Sequence, residues 1–416
     1  MNTSEDPIFA GLDIGTTAAR CIVGTVGTSA DGEESISVLG VGVAAQKGIR
    51  RGMVVNTEDA AHALQEAVEA AERQSGLSIQ SVFININGQH IESRDSKGVI
   101  AVGGSDREIT EDDVLRVEEA ATVVQLANNV EIVEVFPREF HLDGQGGIKD
   151  PVGMTGVRLE IDACLVTGST PVIKNIQKVL DLLDIGISGK SVGAISAGEV
   201  VLSEAQRENG AAVVDIGAST TGIAVFEDGE LLHTAVLPIG SNHITNDLAI
   251  GIRTDLPTAQ KIKHSLVDLS TTGKKKLSIK NSQNEIIAFE NKDIVSIVEA
   301  RLEELGELIA DELHSIKRFG QLPGGLVLIG GGANLQGIEI ILREFLKLPV
   351  SLARKPHVNG LKDAINNPAL ITGFGLLVED INNGSMQPVR RKNANLQKKM
   401  SGMTKSFTQL IQKLKP

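Results

Sequence analysis

Tryptophan and tyrosine are absent from the 416 residues, and phenylalanine occurs only ten times. With so few rings and a formal charge of −13, neither base stacking nor a phosphate-tracking surface is expected, and nucleic acid is set aside as a partner. Cysteine is as scarce. Cys21 and Cys164 cannot make a disulfide framework and are spaced wrongly for zinc, which suits a reducing compartment. None of the eight histidines forms a pair at metal-ligand spacing. Long apolar runs are also missing. The longest uncharged stretch, Phe319 to Ile338, holds seven glycines with Pro323 and Asn334, a composition for a strand and turn rather than a membrane span. The opening MNTSEDPIFAG has neither the basic start nor the apolar middle of a secretory signal, so a cytoplasmic chain is expected.

What is present is a globular balance, 41% apolar and 22% charged, long enough for roughly two to four domains. The charge is uneven. Residues 386–416 carry eight of the 40 basic side chains and none of the 53 acidic ones, leaving 32 against 53 in the rest.

Periodicity predicts strands at Ile8–Ile14, Cys21–Val26 and Ser37–Val43, then a helix to Arg73 with Thr57 as N-cap and Glu58 and Asp59 in its first turn. Residues 82–87, VFININ, read as the next strand. From about 83 to 162 the texture changes to that of an inserted unit, with Gly103 and Gly104, a helix opened by Thr110 with Asp113 three residues on, and a strand at Glu131–Val135. Alternation then resumes with strand Arg158–Val166, helices Val172–Leu183 and Gly198–Ala205, and strands Ala211–Ile216 and Gly222–Phe226. Helices follow at Ile244–Ile252 and Pro257–Leu266, and a Lys-rich polar stretch at 270–285. In Asn291–Phe319 the residues Ile294, Ile297, Val298, Leu302, Leu305, Ile309 and Leu313 form one core-facing stripe. Strand Leu326–Ile329, a helix to Leu346, strand Val350–Leu352 and a helix after Pro368 complete the body.

One internal echo carries chemistry. FAGLDIGTTAARCIVG at 9–24 and AAVVDIGASTTGIAVF at 211–226 share an apolar strand, Asp-Ile-Gly, small hydroxyl residues and a second strand, with Asp13 and Asp215 202 positions apart. Two such units suggest duplicated halves facing a cleft. Small residues after each Asp let backbone amides approach phosphate oxygens, and the hydroxyls of Thr16, Thr17, Ser219 and Thr220 add donors. Carboxylates aimed at phosphate would repel it without an intervening cation, so Asp13 and Asp215 imply hydrated magnesium. Arg20 supplies a cationic partner for the phosphates. A third element, Gly330, Gly331, Gly332, Ala333 and Asn334 after an apolar strand, is where a nucleotide can press on main chain. Other nucleotide motifs fail: GISGKS at 186–191 ends like a Walker A loop, but Asp184 stands where its first glycine belongs, so a turn is expected there.

These residues resemble the actin, sugar kinase and heat-shock chaperone ATPase superfamily. The segments GVGVAAQKGIRRGMVVN at 40–56, REITEDDVLRVEEAATVV at 107–124 and IKDPVGMTGVRLE at 148–160 narrow the resemblance to the bacterial cell-division actins, the FtsA family, over nearly the whole chain. The resemblance implies an α/β, actin-like (ribonuclease H-like) two-domain fold with an inserted subdomain and a C-terminal amphipathic helix. It divides the chain into subdomain IA (1–82, 163–205, 366–385), inserted IC (83–162), IIA (206–240, 318–365), IIB (241–317), a basic linker (386–402) and an anchoring helix (403–416). ATP and Mg2+ are the implied cofactors. Asp13, Gly15, Thr16, Thr17 and Arg20 match the first phosphate loop, Asp215, Gly217, Ala218, Ser219 and Thr220 the second, and Gly330 to Asn334 the adenosine loop. Gln260 and Lys263 fall beside the adenosine, Gln260 replacing the family's usual Glu. Ser196 to Val200 lacks the Glu-Pro pair that orients water in cell-shape actins, so slow or negligible hydrolysis is expected. Implied partners are a second copy in a filament, later division proteins on the inserted subdomain, and the acidic tail of the tubulin-like FtsZ near Arg301, against which stands simple pairing of Arg301 with Glu304. The implied place is the cytoplasmic face of the inner membrane at the division site.

In the tail, Met403, Phe407, Leu410, Ile411 and Leu414 fall within a helical arc of roughly 100°, with Lys405, Lys413 and Lys415 outside it. That is the pattern of an interfacial helix, and the basic linker favours anionic lipid. Burial at about 1.5 to 3 kcal/mol for each large side chain is offset by ordering at about 1 to 2 kcal/mol per residue. One tail is marginal, so polymerisation would supply avidity. A type IV pilus assembly actin is the alternative reading, since its family shares the DIGAST loop, but it ought to lack the basic tail.

Overall fold

The computed structural model describes residues 7–28, 34–104, 106–265, 276–353, 359–360 and 366–384. The linker 386–402 and the tail helix, with Lys405, Phe407, Leu410, Ile411, Lys413, Leu414 and Lys415, lie outside these residues.

Two sheets organise the molecule. The first has six strands in the order Gly186–Ser191, Ser81–Asn85, Ile8–Ile14, Ala18–Thr28, Glu34–Ala45 and Asn359–Gly360. The second has nine, in the order Val350–Leu352, Gly325–Ile329, Ala211–Ile216, Thr221–Glu227, Glu230–Leu237, Glu92–Ala101, Arg158–Ser169, Val130–Leu142 and Gln145–Ile148. Ile8–Ile14 is buried along its whole length. It is apolar on both faces because helices cover both sides of its sheet.

Helix Thr57–Ser75 packs on strand Glu34–Ala45 with Ala60, Ala63, Ala67 and Ala71 buried. Small residues on both sides permit that approach: a Cβ at Gly42 would lie 1.8 Å from the Ala67 carbonyl oxygen. Helix Ile371–Asn382 covers Ile8–Ile14. On the second sheet, helix Asn291–Ser315 buries Ile294, Val298, Leu302, Leu305, Ile309 and Leu313 of the expected stripe, with Ile297 partly buried. Among the described residues no helix is long and apolar enough to cross a membrane.

The inserted unit packs helix Glu111–Ala121 on a sheet of four strands, and its Thr110–Asp113 capping box forms as predicted. It joins the second sheet through a single ladder pair, Ala235 with Glu92. Arg138 strengthens that joint by donating from Nε to the Leu231 carbonyl at 3.2 Å and from Nη2 to Leu232.

Four local readings are corrected. The N-cap of the first helix is Asn56, whose Oδ1 accepts from the amides of Glu58 at 3.0 Å and Asp59 at 3.2 Å, so Thr57 is the first helical residue. Gly186–Ser191 is a parallel edge strand beside Ser81–Asn85, not a turn, because backbone pairing outweighs its weak side-chain pattern. The helix expected at 198–205 is two, Gly193–Val201 and Glu204–Asn209, interrupted where Ser203 caps the second. The polar 270–285 region contains strand Lys276–Lys280, paired with Ile286–Glu290 in a hairpin whose side chains alternate between half-buried and exposed.

Candidate functional site

Each Asp-Ile-Gly unit is an antiparallel hairpin with the Asp next to last in its first strand. Asp13 lies opposite Arg20, and Asp215 opposite Gly222. Both hairpin turns open into one cavity of about 380 Å3.

Asp13 is 6% exposed. Arg20 Nη1 donates to its Oδ2 at 2.9 Å and Asn85 Nδ2 to its Oδ1 at 2.7 Å, while Asn85 Oδ1 accepts the Ile14 amide at 2.7 Å. Burial holds the carboxyl above its usual range despite Arg20 and Asn85. Asp215 accepts from Thr372 Oγ1 at 3.0 Å and is pushed up to about 6, first by burial and next by the negative charge of Asp13. The two acids thus form an electrostatically opposed pair, short of positive charge.

Strand Gly325–Ile329 runs parallel to Ala211–Ile216 and sets Ile329 beside Asp215. The chain then turns at Gly330, φ +83°, where a Cβ would come 2.3 Å from Asp215 Oδ1. A side chain is excluded twice there, by conformation and by contact. At Gly331 an added Cβ would meet nothing within 4 Å. The lining also contains Lys263, whose Nζ donates to the Ser241 carbonyl at 3.0 Å and whose pKa burial pushes down to about 8. The second hairpin turn is tied to the start of helix Ser241–Gly251 by the Ser241 amide on the Gly217 carbonyl at 2.9 Å and the Asn242 amide on that of Ala218 at 2.8 Å.

Of the residues singled out for this site, Asp13, Gly15, Thr16, Thr17, Arg20, Asp215, Gly217, Ala218, Thr220, Gln260, Lys263, Gly330, Gly331, Gly332 and Asn334 line the cavity. Ser219 and Ala333 do not: the Ser219 backbone lies against Gly240, and Ala333 is buried in the core beneath the loop. Arg301 lies elsewhere, its guanidinium held by Asp247 at 2.6 and 2.9 Å and by Glu304. The pairing with Glu304 therefore forms, and Asp247 of another helix joins it.

Sequence reasoning missed Asn87, Ser241, Asn242, His264, Gln336 and Thr372 among the lining residues. It also missed Asn85, which orients Asp13 from behind. The one signal for Asn85 was an amide among apolar neighbours in VFININ, since a buried strand Asn needs partners.

Comparison with known proteins defines the class first. The PilM–PilN type IV pilus biogenesis complex superposes with a TM-score of 0.64 at 15% identity, covering 90% of this chain and 98% of that one. MreB 5 of Spiroplasma citri bound to AMPPNP gives 0.53 at 13% identity, covering 92% and 98%. The fold is the actin-like fold that these structures share. Within the class, residues 88–167 match the family "SHS2 domain inserted in FTSA" and residues 212–375 match "Cell division protein FtsA". Cell division protein FtsA of Bacillus subtilis (strain 168) is 34% identical over 391 residues, 93% of this chain and 86% of its own length. The chain belongs to the FtsA family of actin-like cell-division proteins.

Proposed function

We propose that the chain binds ATP with Mg2+ in the cavity between the two hairpins, polymerises on the inner membrane through its basic tail, and tethers FtsZ filaments there. The observation that carries the nucleotide assignment is the meeting of Asp13 and Asp215 in one cavity, each unfavourably ionised as it stands.

The donor set suits a magnesium nucleotide. A hydrated divalent cation near the acids would neutralise their repulsion, Arg20 offers positive charge to phosphate oxygens, and Lys263 stays with Gln260 as a candidate neighbour of the adenosine. Glycines at 330 to 332 leave a wall without side chains for the nucleoside. Bound Mg2+ would supply charge neutralisation at the phosphates. The protein's own part is to hold Asp13 through Asn85 and Arg20, and Asp215 through Thr372. We assign slow or negligible hydrolysis, since Ser196–Val200 in helix Gly193–Val201 lacks a Glu-Pro pair and its one carboxylate, Glu199, is bridged by Arg207 at 2.9 Å and is not among the residues lining the cavity.

Subdomain IIB, 241–317 with Arg301, is our assignment for the FtsZ tail, and the inserted subdomain, 83–162, for later division proteins. Family membership supports this reading, and the charge asymmetry of 386–416 supports anionic lipid as the tail's surface. The pilus reading is supported by fold likeness alone.

Two measurements test the proposal. Titration of Mg-ATP into Asp13→Ala and Asp215→Ala should show at least a tenfold loss of affinity, and unchanged binding in both rejects the cavity. Vesicle co-sedimentation should show pelleting that needs anionic lipid, rises with protein concentration and disappears in a chain ending at residue 400. Equal pelleting of both lengths rejects the anchor.

A further inference from the structure

Helix Ile371–Asn382 leads toward the segment 386–416 with its eight basic and no acidic residues. Glu379, in the last turn of that helix, begins a trail of acids across the body. Glu379 lies within electrostatic range of Glu134 on strand Val130–Leu142 and Glu199 on helix Gly193–Val201; burial, then these charges, push it up to about 8. Glu134, held by Ser191 Oγ at 2.7 Å, is pushed up to about 7 by burial with Glu199 adding. Glu199 is bridged by Arg207 at 2.9 Å. It is felt in turn by Glu230, which burial also raises and which Lys149 and Arg207 pull back only in part.

Glu230 lines a second cavity of about 360 Å3, between the inserted unit and the second sheet. Six carboxylates border it against Arg138 and Lys149. Three are matched: Asp162 by Lys97 at 2.9 Å, Glu208 by Lys149 at 3.1 Å and Glu227 by Arg318 at 2.7 Å. Among the described residues no Lys or Arg side chain bridges Glu139, Asp228 or Glu230, and Glu139 is met by His141 at 3.3 Å and by the Gly147 amide at 3.0 Å. The surplus negative charge thus sits in a cavity large enough for long side chains, while Glu379 and Glu134, held largely neutral by burial near pH 7, are acids that an approaching cation would ionise.

We propose that residues 386–416 dock on this trail of their own chain when no anionic surface is available, with the basic run Arg390 to Lys399 over Glu379 and Glu134 and toward Asp228 and Glu230. Charge complementarity selects this occupant. The seven residues from 384 to 391 span up to about 25 Å when extended, which gives the basic run a wide radius around the end of helix Ile371–Asn382. Tethering holds the segment at roughly millimolar effective concentration, so individually weak contacts suffice. Lipid and trail then compete for the same cations, and the free chain is kept off surfaces of low negative charge. That last consequence rests on the membrane-anchor reading; the docking itself does not.

Carbodiimide cross-linking of the full chain without vesicles, with peptides mapped by mass spectrometry, tests it. Lys392, Lys398 and Lys399 are expected to couple to Glu379, Glu134, Asp228 or Glu230. In a mixture of isotopically heavy and light chains, products should be single-isotope. Yields should fall at least fivefold in 0.5 M salt, in the Asp228→Asn/Glu230→Gln chain and on adding anionic vesicles. Asp228 has φ +54°, a conformation asparagine tolerates, and the salt arm uses the unaltered chain. Coupling of these lysines to other carboxylates, mixed-isotope products only, or yields indifferent to both salt and substitution would overturn the docking. Cross-links in a chain that no vesicle pellets keep the docking and sink the anchor. Pelleting without cross-links does the reverse.

Discussion

Asp215 senses the charge of Asp13, 202 positions away in the chain and lining the same cavity, and that charge is the second cause, after burial, of its raised pKa. A carboxyl raised in the folded state favours folding while protonated and works against it once ionised. Ligand-free protein should therefore lose stability as the pH rises from 3.8 through about 6. The order of magnitude for a shift of this size is about 3 kcal/mol. Asp215→Asn should raise the thermal midpoint of the ligand-free chain at pH 7.5, with a gain that shrinks toward pH 4. A gain independent of pH would show that burial and repulsion do not act through this group.

Gly330 and Gly331 separate conformation from contact. Gly330→Ala meets a positive φ and the Asp215 carboxylate at 2.3 Å, so it should destabilise the fold by more than about 1 kcal/mol. Gly331→Ala should leave stability within about 0.5 kcal/mol, since its Cβ meets nothing within 4 Å. It should still weaken nucleotide binding severalfold by crowding the cavity wall. Chemical denaturation paired with nucleotide titration checks both, and equal stability losses would contradict the loop geometry.

Asn85→Ala removes partners from a buried backbone amide and a buried carboxylate at once. The expected cost is about 2 to 4 kcal/mol of stability. Asn85→Asp should be worse above pH 6, because it sets a third acid beside Asp13. Urea unfolding across pH reads this directly, and a pH-independent difference between the two variants would refute it.

Arg301 is held by Asp247 in a partly exposed pair, so Asp247→Ala should cost at most about 1 kcal/mol. If the guanidinium receives an acidic FtsZ tail peptide, Asp247→Ala should tighten that binding by freeing it, and Arg301→Glu should lose it. Anisotropy titration with a labelled peptide decides the point. Wild-type affinity in Arg301→Glu removes this residue from the interface.

Much of the body was legible because its signals were redundant. Ile8–Ile14 reads as a strand by composition and as half of a repeat by its echo at 211–216, and both place Asp13 at a turn. The long helix from Asn291 announces itself by seven apolar positions in register. What escaped depended on partners remote in sequence. Gly186–Ser191 is a strand only because Ser81–Asn85 lies beside it. Thr372 reaches the site only because its helix lies against the first sheet, 157 positions from the Asp215 it serves. Ser219 and Ala333 belong to the loops but not to the cavity lining, since a loop motif gives composition and not which of its residues border the space.

The second sheet has a mechanical consequence. Its hydrogen bonding runs unbroken from Val350–Leu352 through the strand of Asp215 to Gln145–Ile148 at the rim of the inserted unit. Six strand spacings separate Asp215's strand from that rim, about 29 Å at the usual interval. A tilt of about 5° in the hairpin wall would move the rim by about 2.5 Å if the sheet stays stiff. The narrow Ala235–Glu92 joint, braced by Arg138, is where that lever can slip or transmit.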